Sequence, residues 1–195
     1  MIAVCDTMIL FWKDKEEQIV SLFKKGDKCA MDKLYLEYAD YLTGVCARYI
    51  SNEDTLKDVL QESLIRIFTQ IHQFEYRGKG SLKAWITKVT INEALIQLRK
   101  EATFFVPLHE SHITELPDEE LKTEGIDSQV LRAFIRKLPP GYRAVFNLFV
   151  IEGKSHKEIA EILQIQPKTS ASQLLRAKKL LAEMIQEYKH QTKDR

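Results

Sequence analysis

Glycine and proline are scarce in this chain, seven and five among 195 residues. Strand-rich folds use more of both at their turns, so this scarcity, with long stretches of 3.6-residue periodicity, points to an all-α protein. The three cysteines, Cys5, Cys29 and Cys46, are odd in number and far apart. They fit no disulfide framework and no CxxC or Cys/His ligand spacing, which predicts reduced thiols and a cytoplasmic setting. No apolar run reaches membrane-spanning length, so direct membrane insertion is not expected. Met1–Trp12 is partly apolar, but it lacks a basic n-region and carries Asp6, so it reads as a short leader rather than a signal peptide. A glycine-rich phosphate loop, a nucleophile elbow and a metal-ligand cluster are all missing. His109 and His112 lack supporting ligands and read as surface residues. Nothing here suggests an enzyme, a cofactor, a metal or a small-molecule substrate.

Net charge is +1, which taken alone speaks against a nucleic-acid partner. Its distribution reverses that reading. Counting Lys and Arg against Asp and Glu, residues 1–23 carry −2, residues 24–100 carry +3, residues 101–127 carry −7 and residues 128–195 carry +7. A basic C-terminal segment therefore follows an acidic middle. Residues 101–127 also lack clean periodicity and contain Pro107 and Pro117, so they read as a solvated linker. The expected organisation is a leader over 1–23, a helical domain over 24–100, the acidic linker over 101–127, a second helical domain over 128–190 and a tail over 191–195. The fold class is all-α, with two small helical domains joined by an acidic linker.

The second domain is organised around Leu138 to Leu181. Ser155 with Glu158 three residues later forms a capping box. Ile159, Ala160, Ile162 and Leu163 follow as an apolar stripe at helical spacing. A break at Gln164–Gln166 precedes Pro167, which suits the first turn of a new helix. That new helix carries an apolar stripe of Ala171, Leu174, Leu175, Leu181 and Ile185. Its polar positions from Lys168 to Lys179, namely Lys168, Thr169, Ser170, Ser172, Gln173, Arg176, Lys178 and Lys179, hold no carboxylate. A solvated face normally mixes both signs, so an acid-free one points to an anionic partner, the alternative being an ordinary soluble helical hairpin. Arg and Gln suit base edges, while Lys, Ser and Thr suit phosphate oxygens. The pattern is a helix-turn-helix.

In the first domain, Asp27 can cap a helix over about 28–50, and a turn at Ser51–Asp54 leads to a second helix over about 54–74. Val59, Leu60, Leu64, Ile67, Phe68 and Ile71 face a core, leaving Asp54, Asp58, Gln61 and Glu62 on another side. The loop Glu75–Ser81 carries Tyr76, Arg77 and Lys79 around Gly78 and Gly80. It is either an ordinary glycine turn or a site where unstacked bases meet a ring and cations. Ser81 reads as the cap of the next helix, over about 82–100, where Trp85, Lys88 and Asn92 lie. In the second domain, helices are expected over 128–137 and 142–151.

Three segments together resemble the sigma factors of bacterial RNA polymerase, in particular the small extracytoplasmic-function group of the sigma-70 family. They are DVLQESLIRIFTQIHQF, YRGKGSLKAWITKVTINEAL, and LPPGYRAVFNLFVIEGKSHKEIAEIL with TSASQLLRAKKLL. The resemblance implies that Asp58, Gln61 and Glu62 dock on core polymerase. It implies that Tyr76, Arg77, Gly78, Lys79 and Ser81 capture a flipped base of the −10 element, with Trp85, Lys88 and Asn92 beside melted DNA. It also implies that Lys168, Thr169, Ser172, Gln173, Arg176 and Lys179 read the −35 element. Core RNA polymerase, promoter DNA and an anti-sigma factor are the implied partners. Such a protein needs no catalytic residue, because a pocket that holds an extruded base offsets an unstacking cost of about a few kcal/mol per step. Three departures stand out: Gln164 where relatives often have Gly, which calls for a positive φ on a non-glycine; Gln173 where a basic residue is common; and a loop without an acidic residue after its first Gly. A free-standing helix-turn-helix regulator, or a sigma-like decoy, would use only part of this set.

Overall fold

The computed structural model describes residues 14–100 and 123–193. Among them there are helices and turns but no strand. The described residues within Met1–Cys46 and Asn52–Ala94 form one compact unit, and those within Ala47–Ser51 and Leu95–Arg195 form another. The acidic stretch 101–122, with His109 and His112, lies outside the described residues, as do Cys5 and Met1–Lys13.

The first unit is built from α1 (Lys15–Lys24), α2 (Ala30–Ala47), α3 (Glu53–Gln70) and the first part of α4 (Ser81–Lys100). Most of α1 falls in the stretch expected to be leader, and here the structure corrects that expectation. Ile19, Val20 and Phe23 recur one and four residues apart, which puts them on one helical face, and all three are buried in the core. There they join Leu34, Tyr38 and Leu42 of α2, Ile67 of α3, Ile71, and Leu82, Ile86 and Val89 of α4. The Phe23 ring stacks on Phe68 at 6.2 Å and meets His72 edge-on at 6.1 Å. Asp27 does take up a backbone N–H before α2, that of Cys29 at 2.8 Å. Asn52 caps α3 by accepting from the Thr55 N–H at 2.9 Å. The helix then tightens into a 3₁₀ turn at Ile71–Gln73 and leaves Phe74 extended. Cys29 is exposed and Cys46 buried, both as free thiols, and burial pushes the Cys46 thiol up to about 11.

The second unit contains α5 (Ser128–Lys137), α6 (Pro140–Phe146), α7 (His156–Leu163) and α8 (Pro167–Lys193). Asp127 caps α5 through the Gln129 N–H at 2.6 Å. Leu138 and Pro139 end α5, and Pro140 opens α6 two residues before the expected start at Tyr142, since a first-turn proline forfeits no helical bond. The chain continues as a wide π turn over Asn147–Ile151, closed by the Glu152 N–H on the Asn147 carbonyl at 3.0 Å. The buried Arg143 donates to the carbonyls of Arg136 at 2.8 Å and Leu138 at 3.3 Å, which secures the corner between α5 and α6. The core side of α8 is Leu174, Ala177, Leu181 and Ile185, and α7 contributes Ile159, Ala160 and Leu163.

Candidate nucleic-acid interface

The helix-turn-helix is set by its caps. The Ser155 N–H and hydroxyl both donate to Glu158 Oε2 at 2.9 Å, and the Glu158 N–H donates back to Ser155 Oγ at 3.3 Å. Lys154 adds a charged bond to Oε1 at 3.0 Å. The Ser155 backbone N–H first, then the Lys154 and Ser155 side chains, hold the Glu158 carboxyl at about 2, well below the usual carboxylate range. At the far end, Gln164 adopts φ 57° and ψ 44°, the left-handed conformation that the missing glycine called for. The Ile165 N–H then reaches back to the Ala160 carbonyl at 3.0 Å. His156 Nδ1 and Ser170 Oγ, 2.9 Å apart, tie α7 to the first turn of α8, and the His156 ring stacks on Phe149 at 4.8 Å.

On α8, Lys168, Thr169, Ser172, Gln173, Arg176 and Lys179 lie at offsets 0, 1, 4, 5, 8 and 11. At about 100° per residue these positions fall within one broad stripe. Lys168 and Lys179 are exposed; Thr169, Ser172, Gln173 and Arg176 are half-buried. Two of these side chains are turned partly inward. The Ser172 hydroxyl bonds the Thr169 carbonyl at 3.0 Å, and Gln173 Oε1 is enclosed without a hydrogen-bond partner. Ser170, one of the polar positions of this helix, is fully buried.

In the first unit, Asp58, Gln61 and Glu62 are all exposed on α3. Their spacing keeps them together, away from the buried Val59, Ser63 and Ile67. Arg66 of α3 meets the buried Glu93 of α4 at 2.8 Å, which ties the two helices near Asn92.

The loop before α4 depends on its glycines. Gly78 at φ 107° and Gly80 at φ 91° occupy conformations that side chains strain against. Ser81 is not the cap of α4 but its first residue. Its hydroxyl accepts from the Arg77 N–H at 3.2 Å, and its own N–H reaches the Gly78 carbonyl at 3.1 Å. The N–H groups of Gly80 and Leu82 go instead to Glu16 Oε2 of α1, at 2.9 and 3.0 Å. Glu16 is only 6% exposed, and its other oxygen accepts from the Tyr38 hydroxyl at 3.3 Å. Tyr76 is half-buried against the core rather than free to stack on both faces, and its hydroxyl donates to Asp14 at 2.9 Å. Desolvation, then the Asp14 bond, pushes that phenol up to about 12.

Arg77 and Lys79 are exposed at the loop tip. Ser81, Trp85, Lys88 and Asn92 follow at offsets 0, 4, 7 and 11 and so share one face of α4. Beside them opens a pocket of about 590 Å³ whose lining includes Gln70, Gln73, Phe74, Arg77 and Trp85. Phe74 and Trp85 form an aromatic wall, with ring centroids 5.2 Å apart and tilted by 34°. The lining residues before the loop were missed in sequence; Phe74 sits one residue beyond the turn that ends α3, where periodicity no longer reports a face. Among the described residues no group of three or more His, Cys, Asp or Glu could hold a metal, and no helix is long and apolar enough to cross a membrane.

Helices and turns throughout the described residues, a capped helix-turn-helix in one unit and, in the other, an aromatic-walled pocket lined also by Glu75 and Arg77 suit a nucleic-acid-binding protein of transcription. The comparisons agree. The Sigma-70 region 2 family model matches residues 34–104, and that for Sigma-70, region 4 matches residues 128–181. The RNA polymerase sigma-H factor of Pseudomonas aeruginosa is 26% identical over 187 residues, covering 89% of this chain and 95% of that protein. The ECF RNA polymerase sigma factor SigE of Mycolicibacterium smegmatis is 27% identical over 175 residues, covering 86% and 67% respectively. Among solved structures, CnrH in complex with the cytosolic domain of CnrY aligns with a TM-score of 0.47 at 18% identity, over 89% of this chain and 99% of that one. The chain belongs to the sigma-70 family, in its extracytoplasmic-function group, and its function is that of a sigma factor, a transcription initiation factor.

Proposed function

We propose that this chain binds core RNA polymerase, directs it to particular promoters and helps open the −10 element. What carries the reading is the presence of both sigma-70 regions, in order, in one chain. In this reading residues 24–100 serve the polymerase and the −10 element, and residues 128–190 serve the −35 element. Asp58, Gln61 and Glu62 supply an acidic, exposed docking face for a basic surface of the polymerase. Arg77, Lys79 and the face of Ser81, Trp85, Lys88 and Asn92 meet the melted strand, and the Phe74–Trp85 wall suits an unstacked base. Gly78 gives the loop its turn, and Tyr76 acts as its anchor. On α8, Lys168, Thr169, Arg176 and Lys179 meet duplex DNA in the major groove, with Ser172 and Gln173 in the same stripe. An anti-sigma factor is a further partner, as the resemblance implies. The place of work is the cytoplasm, where the promoter is.

The test is run-off transcription on a library of genomic fragments, using purified core polymerase with and without this protein. New transcripts that begin downstream of a shared motif support the reading and reveal the promoter. Sequence-specific binding of duplex DNA by the protein alone, with no transcript, would replace it with a free-standing regulator.

A further inference from the structure

We propose that Asp14 and Glu16 are positioning residues that hold the Tyr76–Ser81 loop in its DNA-binding shape. The proposal rests on the reading of that loop as the −10 contact and deepens it.

The geometry singles out these two carboxylates. Glu16 is buried, yet it sits at the start of α4, where the first N–H groups of a helix have no partner within the helix. It accepts from the N–H groups of Gly80 and Leu82, which flank Ser81, and from the Tyr38 hydroxyl. Asp14, two residues earlier, holds the hydroxyl of Tyr76 at the other end of the loop. Two acceptors on one short segment thus grip both ends of a six-residue stretch that carries Arg77 and Lys79. The stretch needs that grip. With Gly78 and Gly80 both at positive φ, the free loop has many accessible shapes, and few of them present Arg77 beside the Phe74–Trp85 wall. If only a fraction of molecules holds the binding shape, apparent affinity for an extruded base falls by that fraction. The carboxylates raise it without touching DNA. The negative charge of Glu16 also lies at the positive end of the α4 dipole, which favours it there.

The experiment uses holoenzyme reconstituted from core polymerase and the full chain, on a promoter recovered by run-off transcription. A fluorescent base analogue in the −10 non-template strand reports opening, and substitutions of the captured base report discrimination. Glu16→Ala is expected to lower opening roughly tenfold and to flatten base preference, with affinity for core polymerase retained. Glu16→Gln is expected to restore most of the loss, because an amide oxygen can accept the same two N–H bonds. Tyr76→Phe and Asp14→Ala should each cost roughly threefold, and the double variant no more than either alone. Should Glu16→Ala melt too early to be assayed, that half-exposed pair decides. Arg77→Ala reports on the loop itself. If Arg77→Ala abolishes opening while the Glu16, Asp14 and Tyr76→Phe variants open and discriminate as the parent does, the positioning role is overturned and the loop reading stands. If Arg77→Ala also opens the promoter normally, both fall.

Discussion

Glu158 holds the start of the helix-turn-helix with bonds from Ser155 N, Ser155 Oγ and Lys154 Nζ, all to its ionised form. Its folded pKa of about 2 lies below the ordinary 4.5, so its contribution to stability is full above the unfolded value and is lost as pH falls through the folded one. The advantage of the parent over Glu158→Gln should therefore be constant above a pH of about 5 and fade toward about 2. Chemical denaturation at a series of pH values, followed by amide exchange in α7, measures it; a pH-independent difference would mean the charge is not what the cap uses. Gln164 poses the opposite case. A side chain in the left-handed region costs about 1 kcal/mol, part of which Gly returns through its freer unfolded chain. Gln164→Gly should raise the stability of the second unit by about 0.5–1 kcal/mol, seen as a higher melting temperature; a loss would mean that the glutamine side chain makes up for its backbone. Both residues were legible in sequence because a cap and a C-terminal turn are local, three to five residues across. Glu16 was not, since its partner Leu82 lies 66 residues away and the nearer Ser81 offered a plausible cap.

Helices α3 and α5 could be read from periodicity, because one face is apolar and the other charged over several turns. Helix α1 follows closely on the partly apolar stretch Met1–Trp12 and was read together with it, so its core side, Ile19, Val20 and Phe23, was absorbed into a supposed leader. What completes its assignment is tertiary: Phe68 and His72 are the partners that make Phe23 a core residue. The pocket behind the loop was illegible for a related reason, as its wall joins Phe74 from an irregular segment to Trp85 from a helix. The exposed side of α3, by contrast, supports a direct prediction. Asp58→Ala combined with Glu62→Ala leaves the core side untouched, so folding should change little, by within about 0.5 kcal/mol. Affinity for core polymerase should fall by roughly tenfold, more steeply at low salt than at high, because exposed charges are screened. Titration of fluorescent protein with core polymerase at two salt concentrations measures both; unchanged affinity would remove α3 as the docking element.

Over the whole chain a net charge of +1 conceals +7 in residues 128–195 and −7 in residues 101–127. Counterion release gives a protein much of its grip on DNA, and here the acidic stretch offsets the basic one within the same chain. Neither unit alone is then expected to hold a promoter tightly. Core polymerase changes the arithmetic by keeping both units on one surface, so that contact at one element raises the effective concentration of the other. The free chain should accordingly bind promoter duplex at least about a hundredfold more weakly than the holoenzyme does. Arg176, in the acid-free stripe of α8, tests how that affinity is divided. Loss of a bidentate base contact costs about 1–3 kcal/mol, so Arg176→Ala should weaken holoenzyme binding by roughly tenfold or more while leaving affinity for core polymerase unchanged. On a template whose −35 element has been scrambled, parent and variant should bind alike, because the contact has nothing left to read. Anisotropy titrations of the four combinations decide it. A variant that is equally weakened on both templates would make Arg176 a phosphate contact, and one that also loses the polymerase would move the α8 stripe from DNA to protein.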